Sequence, residues 1–255
     1  DNKDLHEASL EKLDHICRKL HLMPTDHVLE IGTGWGGFAV HAAKNYGCQV
    51  TTTTISEEQY DHAVELVQRH NLSDRVTVLK KDYRDLTGQY DKLVSIEMIE
   101  AVGHHYLDTY INTLSNRLKP EGLALIQAIT IIEQRYLLAV KSVDFIKRYI
   151  FPGGFIPSVG SIMRSIGRAS DLRLLHFEDF ASHYARTLAE WRKRFNDEKQ
   201  RILKLGYDER FCRMWEFYLA YCEGGFHERQ LGLAQLILAK PKARQETPVL
   251  ELRLS

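Results

Sequence analysis

Val28-Leu29-Glu30-Ile31-Gly32-Thr33-Gly34-Trp35-Gly36-Gly37-Phe38 is the stretch that decides the fold. Apolar residues interrupted by one acid predict a short buried strand. The glycines that follow allow a sharp turn, and Phe38, Ala39, Ala42, Ala43 and Tyr46 continue at helical spacing. Strand, turn and helix together predict a nucleotide-binding hairpin, in which Gly32, Gly34 and Gly36 leave bare main chain for a ligand to lie against. Gly32, Gly34 and Gly37 also satisfy G-x-G-x-x-G, a pattern too common to identify a ligand by itself. Glu30 is more informative. A carboxylate just before the turn suits an amine or hydroxyl and would repel a pyrophosphate.

Outward from the hairpin the same alternation repeats. Leu5, Leu10, Leu13, Ile16 and Leu20 predict an amphipathic helix ahead of it. Residues 48–55 form a β-branched run suited to a second buried strand, and Ser56 with Gln59 predicts a capping box opening the next helix. A third strand at 75–79 delivers Asp82 and Tyr83 at its carboxyl end. A fourth at 90–96 is followed by Glu97 and Glu100. A helix at 106–118, a turn at 119–122 and a fifth strand at 123–129 complete a β-α repeat, which predicts a parallel sheet with helices on both faces. Further on, 171–180 reads as a sixth strand, 184–205 and 209–222 as long helices, and 234–240 as a last apolar strand. One α/β domain is therefore expected over residues 1–255, with a loose polar tail at 241–255.

Composition narrows the function classes. Thirty-four basic residues balance 34 acidic ones, which argues against a nucleic-acid partner. Hydrophobic content of 44% describes an ordinary globular chain, and no apolar run is long enough to span a bilayer. Cys17, Cys48, Cys212 and Cys222 lie far apart, as expected of reduced thiols in a cytoplasmic protein. His104 and His105 are adjacent, so on a helix they would diverge by roughly 100°, and no metal site is expected. The chain starts at Asp1 rather than at a methionine, as a trimmed product would.

The rhythm breaks at 133–170. Tyr149-Ile150-Phe151-Pro152-Gly153-Gly154-Phe155-Ile156-Pro157 is too rich in Pro and Gly for regular structure and too apolar for a solvated loop. It is expected to cap the domain or to line an apolar pocket. Phe211, Trp215, Phe217, Tyr218 and Tyr221 recur at helical spacing, a pattern commoner in cores than in ligand walls.

Two ligands compete for the hairpin. A dinucleotide fold places an acid at the end of the second strand, but this one ends in four threonines with no acid before Glu57. Asp82, followed by Tyr83, stands instead at the end of the third strand, where a carboxylate accepts from an adenine amine while a ring packs nearby. Glu30, the glycine turn, Thr54 with Gln59, and Asp82 with Tyr83 suit S-adenosylmethionine.

Taken together, 28–38, Thr54-Ile55-Ser56-Glu57-Glu58-Gln59, Asp82-Tyr83-Arg84-Asp85-Leu86, Glu100-Ala101-Val102-Gly103, Leu118-Lys119-Pro120-Glu121-Gly122 and Tyr149-Ile150-Phe151-Pro152-Gly153-Gly154 resemble the cyclopropane-fatty-acyl-phospholipid synthase family, which includes the mycolic acid cyclopropane synthases. The resemblance runs from about residue 5 to about 240. It implies a Rossmann-like class I methyltransferase with a mixed seven-stranded sheet, and methyl or methylene transfer to the double bond of an unsaturated acyl chain of a phospholipid. It also implies an acyl channel, for which Tyr149, Phe151, Phe155, Tyr218 and Tyr221 are the candidates, and peripheral contact with the inner face of the membrane. A homodimer is compatible with it. The family holds a bicarbonate with a cysteine, a glutamate, a histidine and a tyrosine. Glu100 matches the glutamate and Tyr184 the tyrosine, but Gln127 stands where the histidine is expected, and the cysteine is expected ahead of residue 1. A glutamine donates a hydrogen bond but carries no positive charge. Methyl transfer is thus the firmer expectation. A non-cyclopropane product, a related C- or N-methyltransferase, and a lipid- or cofactor-binding protein with impaired catalysis stay open.

Overall fold

The computed structural model describes residues 4–244. Helix α1 (Leu5–Lys19) precedes β1 (His27–Ile31), α2 (Gly37–Tyr46), β2 (Gln49–Thr54), α3 (Glu57–Arg69), β3 (Val76–Lys80) and β4 (Tyr90–Ile96). Then come the short α4 (Ile99–Val102), α5 (Leu107–Arg117), β5 (Leu118–Ile131) and α6 (Glu133–Lys141). The chain closes with α7 (Val159–Ala169), β6 (Arg173–Asp179), α8 (Ala181–Asp197), α9 (Lys199–Lys204), α10 (Glu209–His227) and β7 (Leu231–Ala239). The seven strands form one sheet in the order β3-β2-β1-β4-β5-β7-β6. The first five are parallel, and β7 runs antiparallel to both its neighbours, so the expected mixed sheet is observed.

Alternating residues send opposite faces of each strand into different cores. Val28, Val94, Leu125 and Ile237 meet Ile16, Cys17, Leu20 and Phe38 of α1 and α2. Leu29, Leu93, Ile126 and Leu236 meet Tyr110, Ile111 and Leu114 of α5 and Ile162 and Ile166 of α7. A third, smaller cluster joins α8 and α10 through Ala185, Leu188, Leu219 and Phe226 and seats them on Leu233 of β7.

Four local expectations are corrected. The 119–122 turn lies inside β5 as an irregularity, where the register with β4 shifts between Tyr90 and Lys92. The helix expected over 184–205 starts at Ala181 and breaks at Glu198 into α8 and α9. Within 133–170, α7 is a core helix, because Ile162 and Ile166 lie one turn apart on its buried face. The segment 146–150 is a π-helical turn, with irregular chain on both sides of it, at 142–144 and 151–158. The tail does not loosen at Pro241. Lys242 N donates to Pro120 O at 3.2 Å and Ala243 is buried, while 245–255 lie outside the described residues.

Candidate active site

The carboxyl ends of the parallel strands gather the polar groups, as expected where strand order reverses between β1 and β4. Gly32, Gly34 and Gly36 all have positive φ, at +98°, +52° and +85°. A Cβ on Gly34 would meet nothing within 4 Å, so its main chain is bare on that side, as the hairpin reading requires. Gly36 has a different role. Its Cβ would come within 3.3 Å of Ala63 and Leu66, so this glycine lets α2 approach α3 and is no ligand wall.

Glu30 lies beneath the turn rather than in the open cleft. It is 2% exposed, and Oε2 accepts from Thr52 Oγ1 at 2.6 Å, with Thr33 Oγ1 a further 2.7 Å from Thr52 Oγ1. Burial pushes its carboxyl up to about 8, against a smaller downward effect of the Thr52 bond. Thr54 and Gln59 are brought together, Thr54 Oγ1 donating to Gln59 Oε1 at 2.8 Å. Only half of the capping box forms. Ser56 Oγ accepts from Gln59 N, but the Gln59 side chain has gone to Thr54.

Asp82 is gripped by Arg84, whose main-chain N and Nε donate to Oδ1 at 2.9 and 2.8 Å and whose Nη2 donates to Oδ2 at 2.7 Å. The Arg84 side chain holds its pKa below the usual carboxylate range. A carboxylate has about four acceptor positions, so Oδ2 retains one for an adenine amine. Tyr83 does not face that position. It packs among Leu86, Tyr90 and Tyr110 in the core, and the ring-packing role expected of it is not available.

The second half of the site differs from what the motifs suggested. Glu100, on the single turn of α4, accepts from Ile129 N through Oε1 at 2.5 Å, and its buried Oε2 has no partner. Burial first, and the charge of Glu97 second, push it up to about 8. Tyr184 Oη does not reach Glu100. It donates to Glu97 Oε2 at 2.6 Å, and Gln127 Nε2 donates to Glu97 Oε1 at 2.7 Å. Burial and then the Glu97 charge drive the Tyr184 phenol far above its ordinary value, so it stays a donor.

Glu97 is thus the residue that sequence reasoning missed. It holds φ at +52°, a conformation costing an L-residue on the order of 1–3 kcal/mol, and Glu97 N donates to Gln127 O at 2.8 Å to hold it there. The only signal in the sequence was a second acid three residues before Glu100, just past a strand.

The bicarbonate implied by the resemblance does not fit these residues. Both donors that would hold it, Gln127 and Tyr184, already serve a resident carboxylate. A free anion would also sit beside the Glu97 carboxyl, whose oxygens compete with it for the same donors. The donor set for S-adenosylmethionine does fit: bare main chain at Gly34, the Thr54–Gln59 pair, and the spare acceptor on Asp82.

The proposed channel residues divide. Phe155 is 4% exposed and lies in the core with Ile99 and Ile162, so it walls nothing. Tyr149, Phe151 and Tyr221 are about half exposed, and Phe151 meets Tyr218 edge-on at 5.9 Å. Phe145 joins Tyr149, Phe217 and Tyr221 at 5.6, 4.8 and 6.5 Å. The stripe on α10 is therefore part core, at Trp215 and Tyr218, and part surface, at Phe217 and Tyr221. His104 and His105 do not diverge. Their rings lie 3.7 Å apart in a 3₁₀ turn, and no cluster of three metal-ligating side chains occurs among the described residues.

Known proteins share this fold. A family model for mycolic acid cyclopropane synthetase matches residues 1–236. The tuberculostearic acid methyltransferase UfaA1 of Mycobacterium tuberculosis is 40% identical over 237 residues, covering 93% of this chain and 55% of that protein. The cyclopropane-fatty-acyl-phospholipid synthase of Escherichia coli K12 is 39% identical over 242 residues, covering 94% and 60%. The chain thus spans little more than half the length of these relatives. Among solved structures, the cyclopropane synthase MmaA2 of M. tuberculosis superposes with a TM-score of 0.87 at 26% identity, covering 94% of this chain and 87% of that one. Mycolic acid cyclopropane synthase CmaA1, complexed with SAH and CTAB, gives 0.87 at 25% identity with the same coverage.

Proposed function

Because the chain belongs to the mycolic acid cyclopropane synthetase family of S-adenosylmethionine-dependent methyltransferases, we propose that it transfers a methyl or methylene group to the double bond of an unsaturated fatty acyl chain of a phospholipid, with Glu97 as the proton acceptor. The cofactor supplies an electrophilic methyl group when bound. Attack by the alkene π pair would form a C–C bond to that methyl as its C–S bond breaks. The electron pair leaves with the neutral thioether S-adenosylhomocysteine, and a carbocation remains on the acyl chain. The C–H pair of the new methyl then closes a ring or a double bond, and its proton leaves to a base. The observation that supports Glu97 is its pair of donors. Tyr184 and Gln127 both aim at its carboxyl oxygens and hold it in one orientation, with no bicarbonate required. Glu100, with an unpartnered buried oxygen and a carboxyl pushed up to about 8, is poised to share the proton.

A phospholipid acceptor at the membrane surface is supported by the half-exposed aromatics Tyr149, Phe151, Phe217 and Tyr221, which meet across 145–151 and α10. No helix among the described residues is long and apolar enough to cross a membrane. Already about half buried, each of these rings would supply roughly 1 kcal/mol on further burial, so attachment at the inner face is weak, reversible and not strongly dependent on salt. The test incubates the full chain with methyl-labelled S-adenosylmethionine and vesicles of an unsaturated phospholipid, and weighs the acyl chains. One added CH₂ per chain is expected. Label on nitrogen, or none in lipid, overturns the reading.

A further inference from the structure

Lys19 is 1% exposed, on the face of α1 that packs against the sheet among Ile16, Cys17 and Leu20. Its Nζ donates to Glu178 Oε2 at 2.5 Å and to Gln235 Oε1 at 2.7 Å. Gln235 Nε2 in turn donates to Gln127 Oε1 at 2.8 Å, and Gln127 Nε2 donates to Glu97. Gln127, Gln235 and Glu178 are direct partners in the registers of β5, β7 and β6, so their side chains form one rung across three strands. The rung joins the candidate site to α1, which contributes no other residue to it.

The direction of this chain is not free. A carboxamide is an acceptor at one end and a donor at the other, and either amide reverses by a half-turn about its last bond. An ammonium only donates. With Lys19 donating, Gln235 must turn its oxygen to it and its NH₂ to Gln127. Gln127 must then receive through oxygen and present its own NH₂ to Glu97. Reversing either amide would set oxygen against oxygen or NH₂ against ammonium. Burial pulls the Lys19 ammonium down, and the bond to Glu178 opposes this. Replacing such a buried polar series with hydrophobic residues is often neutral or stabilising, so stability alone does not account for it.

We propose that Lys19 is a positioning residue for Glu97, fixing the polarity of the Gln235–Gln127 amide pair so that an N–H always faces the reacting carboxylate. The proposal rests on the reading of Glu97 as proton acceptor. The titratable groups around the two ends are Glu100, Tyr184 and Tyr218 near Glu97, and Glu178, His176 and His15 near Lys19.

The test uses the full chain and three variants. Lys19→Met removes the donor at similar length. Gln235→Glu keeps the shape and the partner for Lys19 but removes the NH₂, forcing Gln127 to reverse and turn its oxygen to Glu97. Glu97→Gln assigns the Glu97 band in carboxyl-stretch infrared spectra taken against pH. In both Lys19→Met and Gln235→Glu, the Glu97 carboxyl is expected to protonate at least one pH unit higher than in the parent. The acid limb of kcat should move with it by at least one pH unit, and KM for lipid should hold within two-fold. An unmoved Glu97 band and acid limb in Gln235→Glu, or in a folded Lys19→Met, overturns the proposal even if turnover drops. The reading of Glu97 as base fails separately, if Glu97→Gln turns over like the parent.

Discussion

The two halves of the candidate site are built in different ways. In the β1–β3 half, every group lies within about fifty residues of chain, from Glu30 to Asp82, and the main chain itself does much of the work through the bare turn at Gly34. In the β4–β5 half, the reacting groups are side chains from three separated segments. Tyr184 reaches Glu97 across 87 positions and Gln127 reaches it across 30. On the proposed reading, the first half is a local structure that binds and the second a tertiary assembly that handles a proton, its polarity set from still farther away, at Lys19.

Four experiments press on that contrast. Glu97→Gln should have the largest effect, lowering turnover by about 10²–10⁴-fold, the usual span of a lost general base, while calorimetric affinity for S-adenosylmethionine stays within three-fold. Equal losses in binding and turnover would erase the division between the halves.

Gly34→Val should do the reverse. A β-branched residue at φ +52° is strained by roughly 1–3 kcal/mol, so cofactor affinity should weaken by about ten-fold or more, and turnover at saturating cofactor should recover. Wild-type affinity in this variant would remove the hairpin from the site.

Cofactor affinity should also depend on pH through Glu30. Its carboxyl stands at about 8 without a ligand, and a bound cation favours the ionised form and lowers that value. Affinity is then fully present above pH 8 and falls as pH drops below it, by at most ten-fold per unit. Titrations at pH 6.5, 7.5 and 8.5 would show this slope, and Glu30→Gln should flatten it.

The smallest effect is expected at Glu100. With its carboxyl also at about 8, most of it is protonated at pH 7, and a carboxamide imitates that form. Glu100→Gln should lower turnover only a few-fold at pH 7 and more at pH 9. A loss at pH 7 as large as that of Glu97→Gln would make Glu100 the base instead, as the family motif by itself suggests.

What could be read from the sequence follows from how far apart the cooperating residues lie. Strands β1 to β4, the glycine turn and the Thr54–Gln59 pair were legible because alternation, turn chemistry and close spacing leave their marks within a few residues. The assignment of Phe155 and Tyr83 to ligand surfaces failed for the opposite reason. Whether an aromatic side chain lines a cleft or fills a core depends on which helix lies over it, and α5 and α7 come from elsewhere in the chain.

By itself the sequence determined the α/β repeat and the nucleotide-type hairpin, and it put a glutamine at position 127. Only the tertiary structure decided what Gln127 touches. Its amide has two ends of opposite polarity, and the sequence does not say which way they point. Packing α1 against β5, β7 and β6 places an ammonium at one end of the rung and Glu97 at the other. The direction of every hydrogen bond between them follows from that placement, because Lys19 only donates and the Glu97 carboxylate only accepts.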